Sequence, residues 1–196
     1  MKKFWDRLVR LFRPKRSLFA VLGECRFEAE AIVLENYPFE PASIFPGARI
    51  PASAIAGIWK NSAPPALRIG DEFVFISAEQ KEALLAFARQ HQIPVVDRHS
   101  NWEWIAAPFL DTETRAEDLA RYQHLLSEQG LGAAEVAQLR GEVEAALLAY
   151  NFDTLLWEWV SLGLWDVLAA MQARCSGAAF AAFYWRAMAI ELREKH

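Results

Sequence analysis

The stretch ALRIGDEFVFISAEQKEALLAFARQHQIPVV, residues 66–96, changes its hydrophobic period twice, and those changes decide the fold class. Ala66–Ile69 and Glu72–Ile76 are apolar runs of strand length on either side of Gly70-Asp71, a two-residue hairpin signal. Ser77-Ala-Glu-Gln80 then has the spacing of a capping box, with the Ser77 hydroxyl facing the Gln80 amide and Gln80 reaching back. It opens a helix from Ala78 to about Gln90 that turns Leu84, Leu85, Phe87 and Ala88 inward. Ile93-Pro94-Val95-Val96 returns to strand grammar. Strand, helix and strand make a β-α-β unit with a right-handed crossover, and so a small mixed sheet.

Upstream, Leu18–Leu22 and Arg26–Leu34 read as two strands that pair around Gly23-Glu24-Cys25. Residues 36–52 carry Pro38, Pro41, Pro46, Gly47 and Pro51 and read as one long irregular connection. Downstream the grammar changes. All nine prolines fall at or before Pro108, and from Thr114 the apolar period is 3.6. Thr114-Arg-Ala-Glu117 opens a helix through Leu119, Tyr122, Leu125 and Leu126 that stops at Gly130-Leu-Gly132. A second spans about Ala133 to Leu148. A third, N-capped by Asp153, runs to Met171 with a bend at Gly163, and Ser176-Gly177 separates a last one over Ala178–Arg193. The expectation is an α+β fold: a small mixed sheet with one crossover helix, packed on an antiparallel all-helical C-terminal half. Residues 1–16, 17–108 and 109–196 are the units, with 17–196 folding as one cooperative body.

Charge is segregated along the chain. Residues 1–16, MKKFWDRLVRLFRPKR, hold seven Lys/Arg and one Asp in a chain of net charge −4, so the remainder sums to −10. On a helical wheel Phe4, Trp5, Leu8, Val9, Leu11 and Phe12 occupy one arc, and Lys2, Lys3, Asp6, Arg7, Arg10 and Arg13 the other, before Pro14 stops the helix. Lys2, Lys3, Phe4, Trp5, Arg7, Leu8, Arg10, Leu11, Phe12 and Arg13 are thus the expected contacts to an anionic membrane surface or an acidic partner. An acidic body argues against binding a phosphate backbone, so nucleic acid is not an expected partner. The apolar run Leu18–Leu22 is too short for a signal peptide, and Asp153, Glu158 and Asp166 interrupt every window long enough to span a membrane. Cys25 and Cys175 have no metal or redox spacing and read as free thiols in a reducing cytoplasm.

No Gly-rich phosphate loop, nucleophile elbow or metal-ligand spacing occurs, and neither a metal nor a cofactor is expected. Asp71 with Glu79 and Lys81 has the residue types of a nuclease metal site, but Glu79 already has a reason to stand in the first turn of a helix. The segment Asp97-Arg-His-Ser-Asn-Trp-Glu-Trp104 is the densest polar and aromatic cluster, and it follows a strand end, where ligands bind in sheets covered by helices. Asp97, His99 and Glu103 are its candidate acid/base groups. The competing reading makes the charges exposed turn residues and Trp102 and Trp104 anchors onto the helical half. Trp157, Trp159, Trp165, Phe180, Phe183, Tyr184 and Trp185 read as packing between the last two helices, with Trp185 on one apolar stripe with Ala181, Ala182, Met188 and Leu192. Alanines at 178, 179, 181, 182, 187 and 189 would also admit another helix.

These observations favour a non-enzymatic cytoplasmic interaction or adaptor protein, attached peripherally to an anionic membrane surface by its N-terminal helix. A second protein is the expected partner, and self-association is compatible with the alanine-rich helix. One alternative is a hydrolase or small-ligand-binding protein with its site at 97–104. Another is an acidic, immunity-type inhibitor of a basic protein.

Overall fold

The structure is a computed structural model that describes residues 22–23, 25–110, 115–154 and 162–194. Its strands form two sheets. In the first, β1 (Cys25–Phe27), β2 (Ala31–Leu34) and β3 (Ala48–Pro51) pair antiparallel in that order. In the second, β4 (Ile55–Trp59), β5 (Ala66–Ile69) and β6 (Glu72–Phe75) form an antiparallel meander, and β7 (Val95–Val96) adds parallel to β4 in the order β6-β5-β4-β7. The fold class is α+β, with a mixed sheet and a second, purely antiparallel one.

Within residues 66–96, Ile69 pairs with Glu72 across the turn, where Gly70 takes φ +55°, a region open to glycine because it lacks Cβ. The crossover helix α1 (Lys81–Gln90) carries the chain from β6 to β7 at the opposite edge, passing β5 and β4. Ser77 does not form the expected capping box. Ala78–Gln80 is a 3-10 turn, and the Gln80 side chain is used elsewhere: the Cys25 N–H donates to Oε1 (3.0 Å) and Nε2 donates to the Cys25 carbonyl (2.7 Å). Two bonds to an otherwise unpaired strand end outweigh one back-bond at a helix start that water can satisfy.

The upstream expectation needs three corrections. Arg26–Leu34 is a hairpin rather than one strand, because the Glu28 N–H donates to the Ala31 carbonyl (2.8 Å) and folds the chain back at Ala29-Glu30. Leu22 lies outside any strand, and the rest of Leu18–Leu22 lies outside the described residues. The Pro-rich connection ends in β3, whose Pro51 stands at the strand's last position and on a sheet edge, where a missing N–H is tolerated.

The helical half comprises α2 (Asn101–Ala106), α3 (Ala116–Glu128), α4 (Ala133–Thr154), α5 (Leu164–Arg174) and α6 (Ala178–Glu191). Thr114 lies outside the described residues. The α3 stop is a Schellman turn: Leu131 N–H to the Leu126 carbonyl (2.9 Å), Gly130 N–H to the Ser127 carbonyl (3.0 Å), Gly130 at φ +76°, and both leucines fully buried. Asp153 is not an N-cap, since α4 continues through it to Thr154 with no Gly or Pro to stop it. Nor does one bent helix pass Gly163. The backbone there is extended, its N–H donates to the Asp166 carboxylate (2.9 Å), and α5 starts afresh. Short α2 touches α3, α4, α5 and α6 and so occupies the middle of this half.

Both halves contribute to one cluster of buried apolar side chains. At its centre Phe39, from the β2–β3 connection, packs on Phe75 of β6, Trp165 of α5, and Phe180 and Tyr184 of α6, with ring centroids 5.0–6.3 Å away. Trp185 is not the buried aromatic of α6, being 43% exposed, whereas Tyr184 is 0% exposed. One residue is about 100° of helix rotation, and the phase that seats the Tyr184 hydroxyl on Glu72 (2.5 Å) turns Trp185 out. The outer edge of β6 is closed by side chains, with the Phe73 N–H on Met188 Sδ (3.3 Å) and the Phe75 N–H on the Tyr37 hydroxyl (3.3 Å).

Candidate functional site

The 97–104 segment is a helix start rather than a loop, and most of its polar groups face the end of α6. Ser100 N-caps α2 by accepting from the Trp102 N–H (3.2 Å). The carbonyls at the C-terminal end of α6 receive donors from this segment. Trp102 Nε1 donates to the Ala187 carbonyl (3.0 Å), Asn101 Nδ2 to Ile190 (2.8 Å), and Arg98 Nη2 to Glu191 (2.6 Å). Arg140 of α4 does the same for α2, donating to the carbonyls of Trp104 (3.2 Å) and Ile105 (3.0 Å). The expected anchoring role is visible in Trp102, which is fully buried, and less in Trp104, which is half-buried.

Of the three acid/base candidates, two come together and one turns away. Asp97 is exposed and accepts from Lys60 Nζ (2.7 Å) and Asn61 Nδ2 (2.5 Å); the Lys60 ammonium holds its carboxyl below the usual carboxylate range. His99 and Glu103 share one side of the α2 start, with Nδ1 3.4 Å from Oε2. Burial pushes the Glu103 carboxyl up, and the neighbouring His99 opposes that. Both residues line a groove of about 350 Å³ between α2 and α3. Its apolar walls are Trp104, Leu110 and Leu125, and its other polar groups are Arg121 and Tyr122. That volume and mix suit a small ligand. Arg121 has no hydrogen-bond or ion-pair partner among the described residues.

Three buried carboxyl groups escaped the sequence reading. Glu72, 2% exposed, accepts from the Ser43 backbone N–H (3.2 Å), the Ser43 hydroxyl and the Tyr184 hydroxyl (2.5 Å). Glu191, 4% exposed, accepts from the Ser100 hydroxyl (2.9 Å) and the Trp102 N–H (3.3 Å); burial outweighs these bonds and pushes its carboxyl up to about 7. Burial likewise raises Asp166 to about 7, against the Gly163 N–H and with the Glu103 charge adding to the rise. A signal existed for Glu191, which follows Tyr184 by seven residues and so shares its buried phase. Glu191 and Glu103 also line a narrow crevice with Trp59 and Trp165, with room for about one water molecule. No group of three or more His, Cys, Asp or Glu among the described residues is placed to share a metal ion. Asp71, of the nuclease-like set, faces Arg68 (3.9 Å).

The second surface of note is the outward side of α6, where Ala178, Ala182, Trp185 and Ala189 are exposed at helical spacing. The Trp185 ring leans edge-on against Tyr184 with centroids 5.3 Å apart, and the residue stays partly open to solvent. The basic residues 1–16 lie outside the described residues, and no helix among those described is long and apolar enough to cross a membrane. A scan against protein-family models and searches of curated proteins and of solved structures find no match.

Proposed function

We propose that this chain is a non-enzymatic cytoplasmic interaction protein that receives a helix of a partner protein on the outward face of α6. The observation that carries the reading is Trp185, a large aromatic left 43% exposed in the middle of an alanine face. Tryptophan concentrates binding energy at interfaces, and alanines on either side let a second helix come close. The free thiols Cys25 and Cys175 agree with a reducing compartment. A photo-crosslinking residue at Ala182, expressed in the native cells, tests the reading. A discrete adduct that disappears in Trp185→Asp is the expected result, and its mass separates a second copy of this chain from another protein. No adduct, or one indifferent to Trp185→Asp, overturns it.

Peripheral attachment to an anionic surface is a separate part of the proposal, supported by the charge segregation of residues 1–16. Each Lys or Arg near such a surface contributes on the order of 1 kcal/mol, enough to fold a helix that is marginal in water. Co-sedimentation with anionic vesicles at low salt is expected for the full chain and not for a chain starting at Ser17. Equal binding by the two removes this part.

A further inference from the structure

We infer that the groove between α2 and α3 is a binding site for a small monocarboxylate with an apolar body. The site lies apart from the α6 face and does not depend on the adaptor reading. Its charge balance points to the ligand. At one wall His99 Nδ1 lies 3.4 Å from Glu103 Oε2, so the Glu103 carboxyl has a polar neighbour on its own helix turn. Arg121 is the basic groove residue, with no hydrogen-bond or ion-pair partner among the described residues, on a helix whose neighbouring groove positions are Tyr122 and Leu125. A guanidinium presents a planar fork of N–H donors that matches a carboxylate with two parallel bonds. Trp104 and Leu125 then offer aromatic and aliphatic walls to whatever the carboxylate is attached to. A cationic ligand would meet Arg121 as a like charge, and a neutral apolar one would leave the fork unused.

Hydrocinnamate is a suitable probe, and hydrocinnamyl alcohol is its uncharged counterpart with the same ring and chain. Titration calorimetry on the full chain should show the acid binding at least about tenfold more tightly than the alcohol, a difference of about 1.4 kcal/mol. The acid's affinity should fall as NaCl is raised, because the partner charge is solvent-exposed, while the alcohol's should not. Arg121→Gln should bring the acid down to the alcohol's level. Arg121→Lys, which keeps the charge without the fork, should fall between. Arg49→Gln, whose residue pairs with Glu28 on the β1–β2 hairpin, should leave both ligands unaffected. Melting curves of Arg121→Gln that match the parent exclude a folding defect. Acid and alcohol binding equally, unchanged acid binding in Arg121→Gln, or no binding of the acid each overturns the site.

Discussion

The two faces of α6 differ in almost everything that fixes a helix. The inner one carries Phe180, Phe183, Tyr184, Ala187, Met188 and Glu191, all buried, and sends two polar side chains into the body. Tyr184 reaches Glu72 on β6, and Glu191 reaches Ser100 and Trp102 at the start of α2. The outer one carries Ala178, Ala182, Trp185 and Ala189 with no such ties. Each carries a bulky ring at the same level of the helix, Tyr184 within and Trp185 without, one residue apart in sequence. What separates them is the hydrogen bonding available at one rotation of the helix, so composition alone does not say which aromatic is structural.

The largest effect expected is that of Tyr184→Ala. Removing a fully buried aromatic costs about 3–5 kcal/mol, and here Glu72 also loses one of its donors. That is a large share of a typical stability of about 5–15 kcal/mol. Tyr184→Phe isolates the hydroxyl and should cost about 1–3 kcal/mol. Denaturant melts followed by tryptophan fluorescence and by far-UV circular dichroism should shift together, as expected for one cooperative unit over both halves. Separate shifts would break the comparison by showing that α6 and the sheet unfold independently.

Next in size is a pH effect of two buried carboxyls, Glu191 on the inner face and Asp166 on α5. Glu191 and Asp166 have folded-state values of about 7 against ordinary carboxyl values of 4.5 and 3.8. The folded chain therefore binds more protons than the unfolded chain between those limits. The stability they contribute is fully present below about pH 4 and is lost as pH rises to about 7. A fall of a few kcal/mol over that window is expected, since each tenfold difference in proton affinity between the folded and unfolded chains is worth about 1.4 kcal/mol. Glu191→Gln should flatten part of the fall. A pH-independent melt in that range would show that burial is not what sets these groups.

On the outer face, Trp185→Ala should cost less than about 1 kcal/mol, as substitutions outside a packed core do. A loss comparable to that of Tyr184→Ala would mean that Trp185 is covered in solution. Smallest of all is His99→Ala, expected to stay within about 0.5 kcal/mol. Its ring is exposed and touches the body through Glu103 and an oblique contact with Trp104.

What could be read in the sequence was whatever repeats or punctuates. The Gly70-Asp71 hairpin, the inner face of α1, the Gly130 stop and the start of α6 at Ala178 all stand where period and turn chemistry put them. The central strand β4 is invisible to such signals. Ile55-Ala-Gly-Ile-Trp59 is buried on both sides except at Ala56, so it has no alternation to detect. Gln80 shows the same limit for caps: its spacing is that of a helix start, and a contact 55 residues away in sequence takes the side chain instead. Of the candidate site, the His99–Glu103 pair was legible because i, i+4 spacing joins side chains on any helix. Arg121 was not, since nothing local in α3 says that its face meets α2. Glu72 should have been suspect, a carboxylate leading the otherwise apolar run Phe73–Ile76.

The closed edge of β6 bears on how this protein would aggregate. Phe73-Val-Phe-Ile76 is a short, uncharged, strongly β-forming window, the kind that adds strands from other molecules when its backbone is free. Here two of its N–H groups are occupied by Met188 and Tyr37, and Met188 belongs to α6. Undocking of that one helix frees the Phe73 N–H and strips apolar cover from the edge in the same motion, leaving Tyr37 as the remaining block. Fibre or amorphous growth should therefore track the small population of molecules with α6 detached at equilibrium, and a cross-link holding α6 to β6 should suppress it even where the melting temperature hardly changes.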